Sequence, residues 1–145
     1  MEREGLDKAF VLDSSVVIKW FSEEIDTNRA IKLRDKFLKG EIDITVPDLQ
    51  LYEIPNALRY NQKLTENDVI NAVESLMDMG INIIVPTREV MAFAVELAFK
   101  LNITLYDAYF VALAKTLKYT FITSDQKLYH KIKDIKFVKL LGDLN

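Results

Sequence analysis

The chain has 145 residues and a formal net charge of −3, from 19 basic and 22 acidic side chains, and half of its residues are apolar. That length suits one domain, expected over 1–145, with a core large enough to fold without staples. The absence of cysteine excludes disulfides, cysteine-ligated zinc, iron–sulfur clusters and thiol nucleophiles; the single histidine, His130, excludes paired-histidine nuclease chemistry and multi-histidine metal sites.

No apolar run reaches the ~18 residues of a membrane span. The opening MEREGLDK is charged and lacks a signal-peptide core, so the expected location is cytoplasmic. A pI near 5.2 argues against a simple electrostatic nucleic-acid binder. It leaves room for an enzyme that holds nucleic acid through metal ions.

In chain order, KAFVLD (8–13) reads as a short buried strand. Ser14 or Ser15 can cap the next helix, VVIKWFSEE. Asp26 or Thr27 opens a second helix through Lys39, and Gly40 suits the position just past its end. IDITV (42–46) is the second strand. Pro47-Asp48 starts a third helix to about Asn61, with Asp48 as a plain N-cap and Pro55 as a kink. Thr65 and Asp68 form a capping-box pattern for a fourth helix to Met79, which Gly80 ends. INIIV (81–85) is the third strand. Pro86-Thr87 opens a fifth helix through Leu101. Thr104 caps a sixth, ending near Lys118. YTFIT (119–123) is the fourth strand, DQKLYHKI a short helix and KFVKLL (136–141) a last strand. Strands alternating with helices predict an α/β fold with a doubly wound parallel sheet of about five strands.

One residue in this pattern is unexpected. Within TLYDAYFVALA (104–114), Asp107 is the only charge in an apolar helix. A lone buried carboxylate is costly unless it is paired, neutralised or bound to metal. In doubly wound sheets, ligands sit beyond the carboxyl ends of the strands. Asp13 ends the first strand, Glu53 lies about a turn into the helix after the second, and Asp125 comes directly after the fourth. The sixth helix runs antiparallel to the fourth strand, which brings Asp107 to the same edge. Four carboxylates at one rim repel one another. All-oxygen ligation without His or Cys selects Mg²⁺ or Mn²⁺. Such ions can activate a water for in-line attack on a phosphodiester.

Each acid also has a plainer reading. Asp107 could close a capping box with Thr104. Asp125 could be an N-cap, Asp13 could close a turn, and Glu53 could be a surface residue beside Asn56. Glu23, Glu24 and His130 read as surface groups. Lys19, Arg59 and Lys63 lie on segments that enter or leave the rim, and become candidates to touch RNA under the family resemblance that follows.

These segments resemble the PIN-domain family, and within it the VapC-type toxins. FVLDSSVVIKWFSEE resembles the family's opening strand and helix, PDLQLYEIPNALR its second-acid helix, LYDAYFVALAK its third-acid segment and FITSDQKL its fourth. The departures are Pro55 and the acidic pI. The resemblance implies strand order 3-2-1-4-5 and a metal-dependent endoribonuclease. In that enzyme Asp13, Glu53, Asp107 and Asp125 would hold Mg²⁺ or Mn²⁺. Ser14 would stand near the first acid, Asn56 would keep its usual place and Thr123 would support the fourth acid. It also implies an RNA substrate, a homodimer and a cognate antitoxin. A non-catalytic PIN-like RNA- or protein-binding module and a housekeeping RNA-processing nuclease stay open as alternatives. Aspartyl-phosphate chemistry fits poorly. Ser15 stands where a dehalogenase-like enzyme needs a second Asp, and Pro86, Thr87 and Arg88 stand where a receiver domain needs its phosphoacceptor. The helices VMAFAVELAF and AYFVALA carry more apolar surface than one sheet face covers, so part of it, or part of the second and third helices, is expected to form a homodimer interface and an antitoxin groove.

Overall fold

A computed structural model describes residues 8–145; the charged opening MEREGLDK lies almost wholly outside them. The described chain forms β1 (Ala9–Leu12), α1 (Ser14–Val17), α2 (Thr27–Leu38), β2 (Asp43–Pro47), α3 (Gln50–Leu58), α4 (Glu66–Asp78), β3 (Asn82–Ile84), α5 (Arg88–Leu101), α6 (Leu105–Leu117), β4 (Thr120–Thr123), α7 (Gln126–Ile132) and β5 (Val138–Leu140). The five strands are all parallel, in the order β3-β2-β1-β4-β5. This is the doubly wound α/β sheet that the alternation of elements predicts.

The period-two alternation of the strands divides the core. Val11 pairs with Phe121, and both face the layer of α5, α6 and α7. Leu12 pairs with Ile122, and both face the layer of α1 to α4. α5 packs along α6 and takes the solvent side, so α6 is sandwiched between α5 and the sheet. Ala108 through Ala114 are consequently all buried. The apolar run AYFVALA is therefore core, and it offers no association surface. What α5 leaves exposed is Val95 and above all Phe99, at 86%.

Local signals set most helix ends. Thr65 and Asp68 close a capping box in both directions. Thr87 and Thr104 accept from the amides of Val90 and Asp107. Gly40 and Gly80 come just after α2 and α4 with φ of 77° and 90°, left-handed values that glycine adopts without strain.

Two helices depart most from the sequence reading. The first helix is a single turn, Ser14–Val17, that runs into a 3₁₀ turn at Ile18–Trp20. Its cap position is Asp13, not Ser14 or Ser15, and it makes no side-chain cap bond; its carboxylate instead accepts from the Ser15 and Thr123 hydroxyls. The third helix begins at Gln50, not at Pro47. Pro47 is still in the ladder opposite Ile84, and the Asp48 amide donates to the Ile84 carbonyl. Asp48 is thus not the N-cap; Leu49 holds that position. Pro55 sits inside α3 without ending it, and the Arg59 amide still donates to its carbonyl.

Gln50 compensates for a proline. Extending the β1–β2 register of Val11 with Thr45 by one step brings residue 47 to donate to the Leu12 carbonyl. Residue 47 is Pro and has no N–H. The fully buried Gln50 supplies the donor from its side chain, Nε2 to Leu12 O at 2.8 Å.

Candidate metal and active site

At the carboxyl edge of the sheet, a cavity of about 320 Å³ is lined by Asp13, Glu53, Asp107 and Asp125, with Ser14, Ser15 and Asn56 among its other walls. The four acids singled out from the sequence thus come together from β1, α3, α6 and the β4–α7 junction. Asn56 stands at the exposed side.

Asp13 lies deepest, 6% exposed. Its amide donates to the Ile122 carbonyl at 2.9 Å, which ties it to the end of β4. Two hydroxyls converge on its Oδ2, Ser15 Oγ and Thr123 Oγ1, each at 2.7 Å. A hydroxyl has one proton to give, and both are spent here. The hydroxyl oxygens then accept backbone amides, Ser15 Oγ from Ser124 at 2.8 Å and Thr123 Oγ1 from Asp125 at 3.0 Å. These bonds weave β1, α1 and the loop after β4 into one scaffold. Burial raises the Asp13 carboxyl to about 6, against the two hydroxyl bonds that lower it and with the charges of Asp107 and Glu53 adding to the rise.

Glu53 accepts from Ser14 Oγ on Oε1 at 2.7 Å. Its carboxyl is also raised, first by burial, then by the charge of Asp107, with the Ser14 bond opposing. Asp107 is raised by burial and by the charge of Asp125, with Thr104 opposing. Asp107 therefore interacts electrostatically with all three other acids. It is half-buried at the rim, and the preceding turn is exposed, so it does not stand in a dry wall. The Thr104 hydroxyl caps α6 by accepting from the Asp107 amide, and the Asp107 side chain lines the cavity. Asp125 does both jobs: its Oδ1 caps α7 by accepting from the Leu128 amide at 3.1 Å, and the residue lines the cavity.

The supporting residues are partly redistributed. Ser14 is next to the first acid in sequence but bonds the second, Glu53. Thr123 bonds the carboxylate of the first acid and only the amide of the fourth. Ser15, read from sequence only as a helix cap, is the second donor to Asp13. The D-S-S run carries the signal: residues one and two past a strand end point to different sides, so two hydroxyls can serve two acids. Lys19 is 7% exposed and bonded to Glu24 at 3.1 Å, which removes it from the candidates for RNA contact. Arg59 is exposed over the Tyr60 ring, Lys63 is exposed, and His130 is exposed on α7.

The donor set suits a hard divalent cation, since it offers only oxygens. Among the described residues no three acids stand close enough to form a ready cage. Mg²⁺ needs no such cage, because it keeps several waters and takes one or two carboxylates directly. Six waters at about 30 Å³ each fit within the cavity volume. Mutually repelling, desolvated carboxylates are the electrostatic condition that a cation relieves.

Residues 10–134 match the PIN domain. The chain belongs to the PIN domain family. No curated protein matches it in sequence. Several solved structures share the PIN fold with it. PAE2754 from Pyrobaculum aerophilum has a TM-score of 0.68 at 18% identity, covering 95% of this chain and 93% of its own. A toxin–antitoxin complex from Klebsiella pneumoniae has a TM-score of 0.65 at 18% identity, covering 92% and 98%. VapC20 of Mycobacterium tuberculosis, a sarcin–ricin-loop-cleaving toxin, has a TM-score of 0.62 at 12% identity, covering 79% and 86%. At these identities the likeness concerns the PIN fold. No helix among the described residues is long and apolar enough to cross a membrane.

Proposed function

We propose that this PIN domain is a metal-dependent endoribonuclease, the toxin of a VapBC-type toxin–antitoxin pair, acting in the cytoplasm as a single-domain chain. The observation that carries the reading is the convergence of Asp13, Glu53, Asp107 and Asp125 on one cavity, with the pKa values of the first three pushed up together. Mg²⁺ or Mn²⁺, when bound, would activate the attacking water and neutralise charge on the phosphodiester. Asp13 and Glu53 would hold the ion from the inner wall, each kept in place by hydroxyl bonds that cost no rearrangement. Asp107 and Asp125 would hold it from the rim, where RNA enters. Asn56 would support the site from the exposed side of the cavity. The cognate antitoxin would silence the site, and the chain would work as a homodimer. The toxin–antitoxin complex and the RNA-cleaving toxin among the structures of this fold support that role.

The test is cleavage of RNA by the purified chain in Mg²⁺ or Mn²⁺. Because a water attacks phosphorus, products should carry 5′-phosphate and 3′-hydroxyl ends. Cyclic 2′,3′-phosphates, or undiminished cleavage in excess EDTA, would overturn the mechanism. RNA binding without cleavage under any divalent ion would favour the non-catalytic module.

A further inference from the structure

The side chain that ties the Asp13 backbone to the helix of Glu53 belongs to neither acid. Asp13 projects from the Leu12–Asp13 peptide unit, which is planar and moves as one piece. The N–H of that unit donates to the Ile122 carbonyl at 2.9 Å, on the β4 side. Its C=O accepts from Gln50 Nε2 at 2.8 Å, on the opposite side. The unit is thus held at both ends, once by backbone and once by a side chain.

Gln50 is the first residue of α3, and Glu53 lies in the same first turn. The N-cap of this helix, Leu49, makes no side-chain cap bond, and the bond from Gln50 fastens the first turn to β1. Ser14 Oγ donates to Glu53 Oε1 at 2.7 Å, which closes a ring through residues 12–14 and 50–53. That ring has two non-covalent joints, Gln50 to Leu12 and Ser14 to Glu53. Opening either one frees Glu53 to move relative to Asp13.

Two further observations separate this from ordinary carbonyl pairing. Gln50 is fully buried, and its Oε1 has no partner among the described residues. Methionine would fill the same space without an orphaned acceptor, which is costly to bury. The donor has also moved along the chain. An amide at position 47 would fasten only β2 to β1, but Pro47 has none. A donor on Gln50 fastens the helix that carries Glu53.

We propose that Gln50 is a positioning residue, which sets the separation of the Asp13 and Glu53 carboxylates and through it the affinity of the cavity for a divalent cation. The inference rests on the metal reading of the cavity and is independent of what the protein cleaves. Mg²⁺ demands near-ideal octahedral geometry, whereas Ca²⁺ accepts longer and more variable bonds. A separation that is mis-set should therefore cost the smaller ions more.

The test uses the full chain without RNA. Mn²⁺ binding is read from the EPR signal of the free ion, and Ca²⁺ binding by calorimetry. Gln50→Met should weaken Mn²⁺ binding roughly tenfold or more, as for other residues that orient metal ligands, and Ca²⁺ binding less. Pro47→Ala in the Gln50→Met background returns a backbone donor to Leu12. It should restore the urea midpoint but not the Mn²⁺ affinity. Unchanged Mn²⁺ affinity in Gln50→Met, equal losses for the two ions, or recovery of affinity in the double variant would each overturn the proposal. In wild type itself, Mg²⁺ should slow solvent exchange of the Gln50 side-chain amide protons, because ligation tightens the ring that they close. An unchanged rate would overturn the proposal even if neither variant folded. No Mn²⁺ binding by wild type would sink the metal reading, and this inference with it; wild-type binding that Gln50→Met retains in full would sink this inference alone.

Discussion

The hydroxyl of Thr123 donates to the carboxylate of Asp13 at 2.7 Å, across 110 positions of sequence. The contact exists because β4 lies beside β1, with Leu12 opposite Ile122, so the next residue on each strand projects at the same edge. Thr123→Val keeps the shape but removes this donor and the acceptor of the Asp125 amide. The loss should cost about 2 kcal/mol in the metal-free protein at pH 7.5, as for a hydrogen bond to a buried charge. The deficit should shrink below pH 6, where Asp13 is protonated, and Thr123→Ser should recover most of it. Urea midpoints read all three; an unchanged Thr123→Val midpoint would show that the bond contributes nothing.

Asp13 makes the metal-free protein less stable at neutral pH. Its carboxyl is raised to about 6 from an ordinary 3.8, so the folded state binds the proton more tightly than the unfolded chain does. The resulting stability is fully present below about pH 4 and is lost as pH rises through 6, to a total of at most about 3 kcal/mol. In EDTA, the stability of wild type minus that of Asp13→Asn should therefore fall between pH 4 and 7. A flat difference would mean that the carboxylate is not desolvated.

Asp107→Asn removes the charge that acts on the other three acids while leaving the helix cap, which uses the Asp107 amide and the Thr104 hydroxyl. In EDTA the variant should melt at or above the wild-type temperature. In saturating Mn²⁺ the order should reverse, because wild type gains more binding free energy. RNA cleavage should fall by orders of magnitude. Equal destabilisation in both buffers with cleavage intact would make Asp107 a structural cap only.

Gln50→Leu removes the donor that replaces the missing amide of Pro47 and leaves the Leu12 carbonyl unpaired. It also removes Gln50 Oε1, the one buried side-chain polar atom without a partner among the described residues. The two effects oppose, and a net loss of about 1 kcal/mol is expected. Gln50→Glu keeps the volume but replaces the donor with a buried carboxylate and should cost more than Leu. Equal midpoints for Glu and Leu would show that the amide proton is unimportant.

Self-association should involve the apolar face that α5 turns outward at Val95 and Phe99. Sedimentation at tens of micromolar should detect a dimer, and Phe99→Glu should shift it toward monomer. A wild-type monomer at that concentration, where a weak dimer would form, would count against the association.

The order of strands and helices, the capping box at Thr65 and Asp68, the glycine ends of α2 and α4 and the four acids are all legible in the sequence. Each depends on local spacing or on the residues just past a strand end. The sequence alone also assigns Asp107 to the shared rim, since the direction of a helix relative to its strand is dictated by the connection between them. Which hydroxyl serves which acid is not legible. Ser14 reaches Glu53 across 39 positions and Thr123 reaches Asp13 across 110, and neither distance is encoded near either residue. The depth of each acid is equally hidden: Asp107 has the more apolar neighbours, yet Asp13 is the buried one, because α6 begins at the rim whereas β1 ends inside the sheet. Likewise AYFVALA looks like surplus apolar surface until α5 packs over it. Burial and hydrogen-bond partnership are properties of the segments that fold over a residue, and only the tertiary structure decides them.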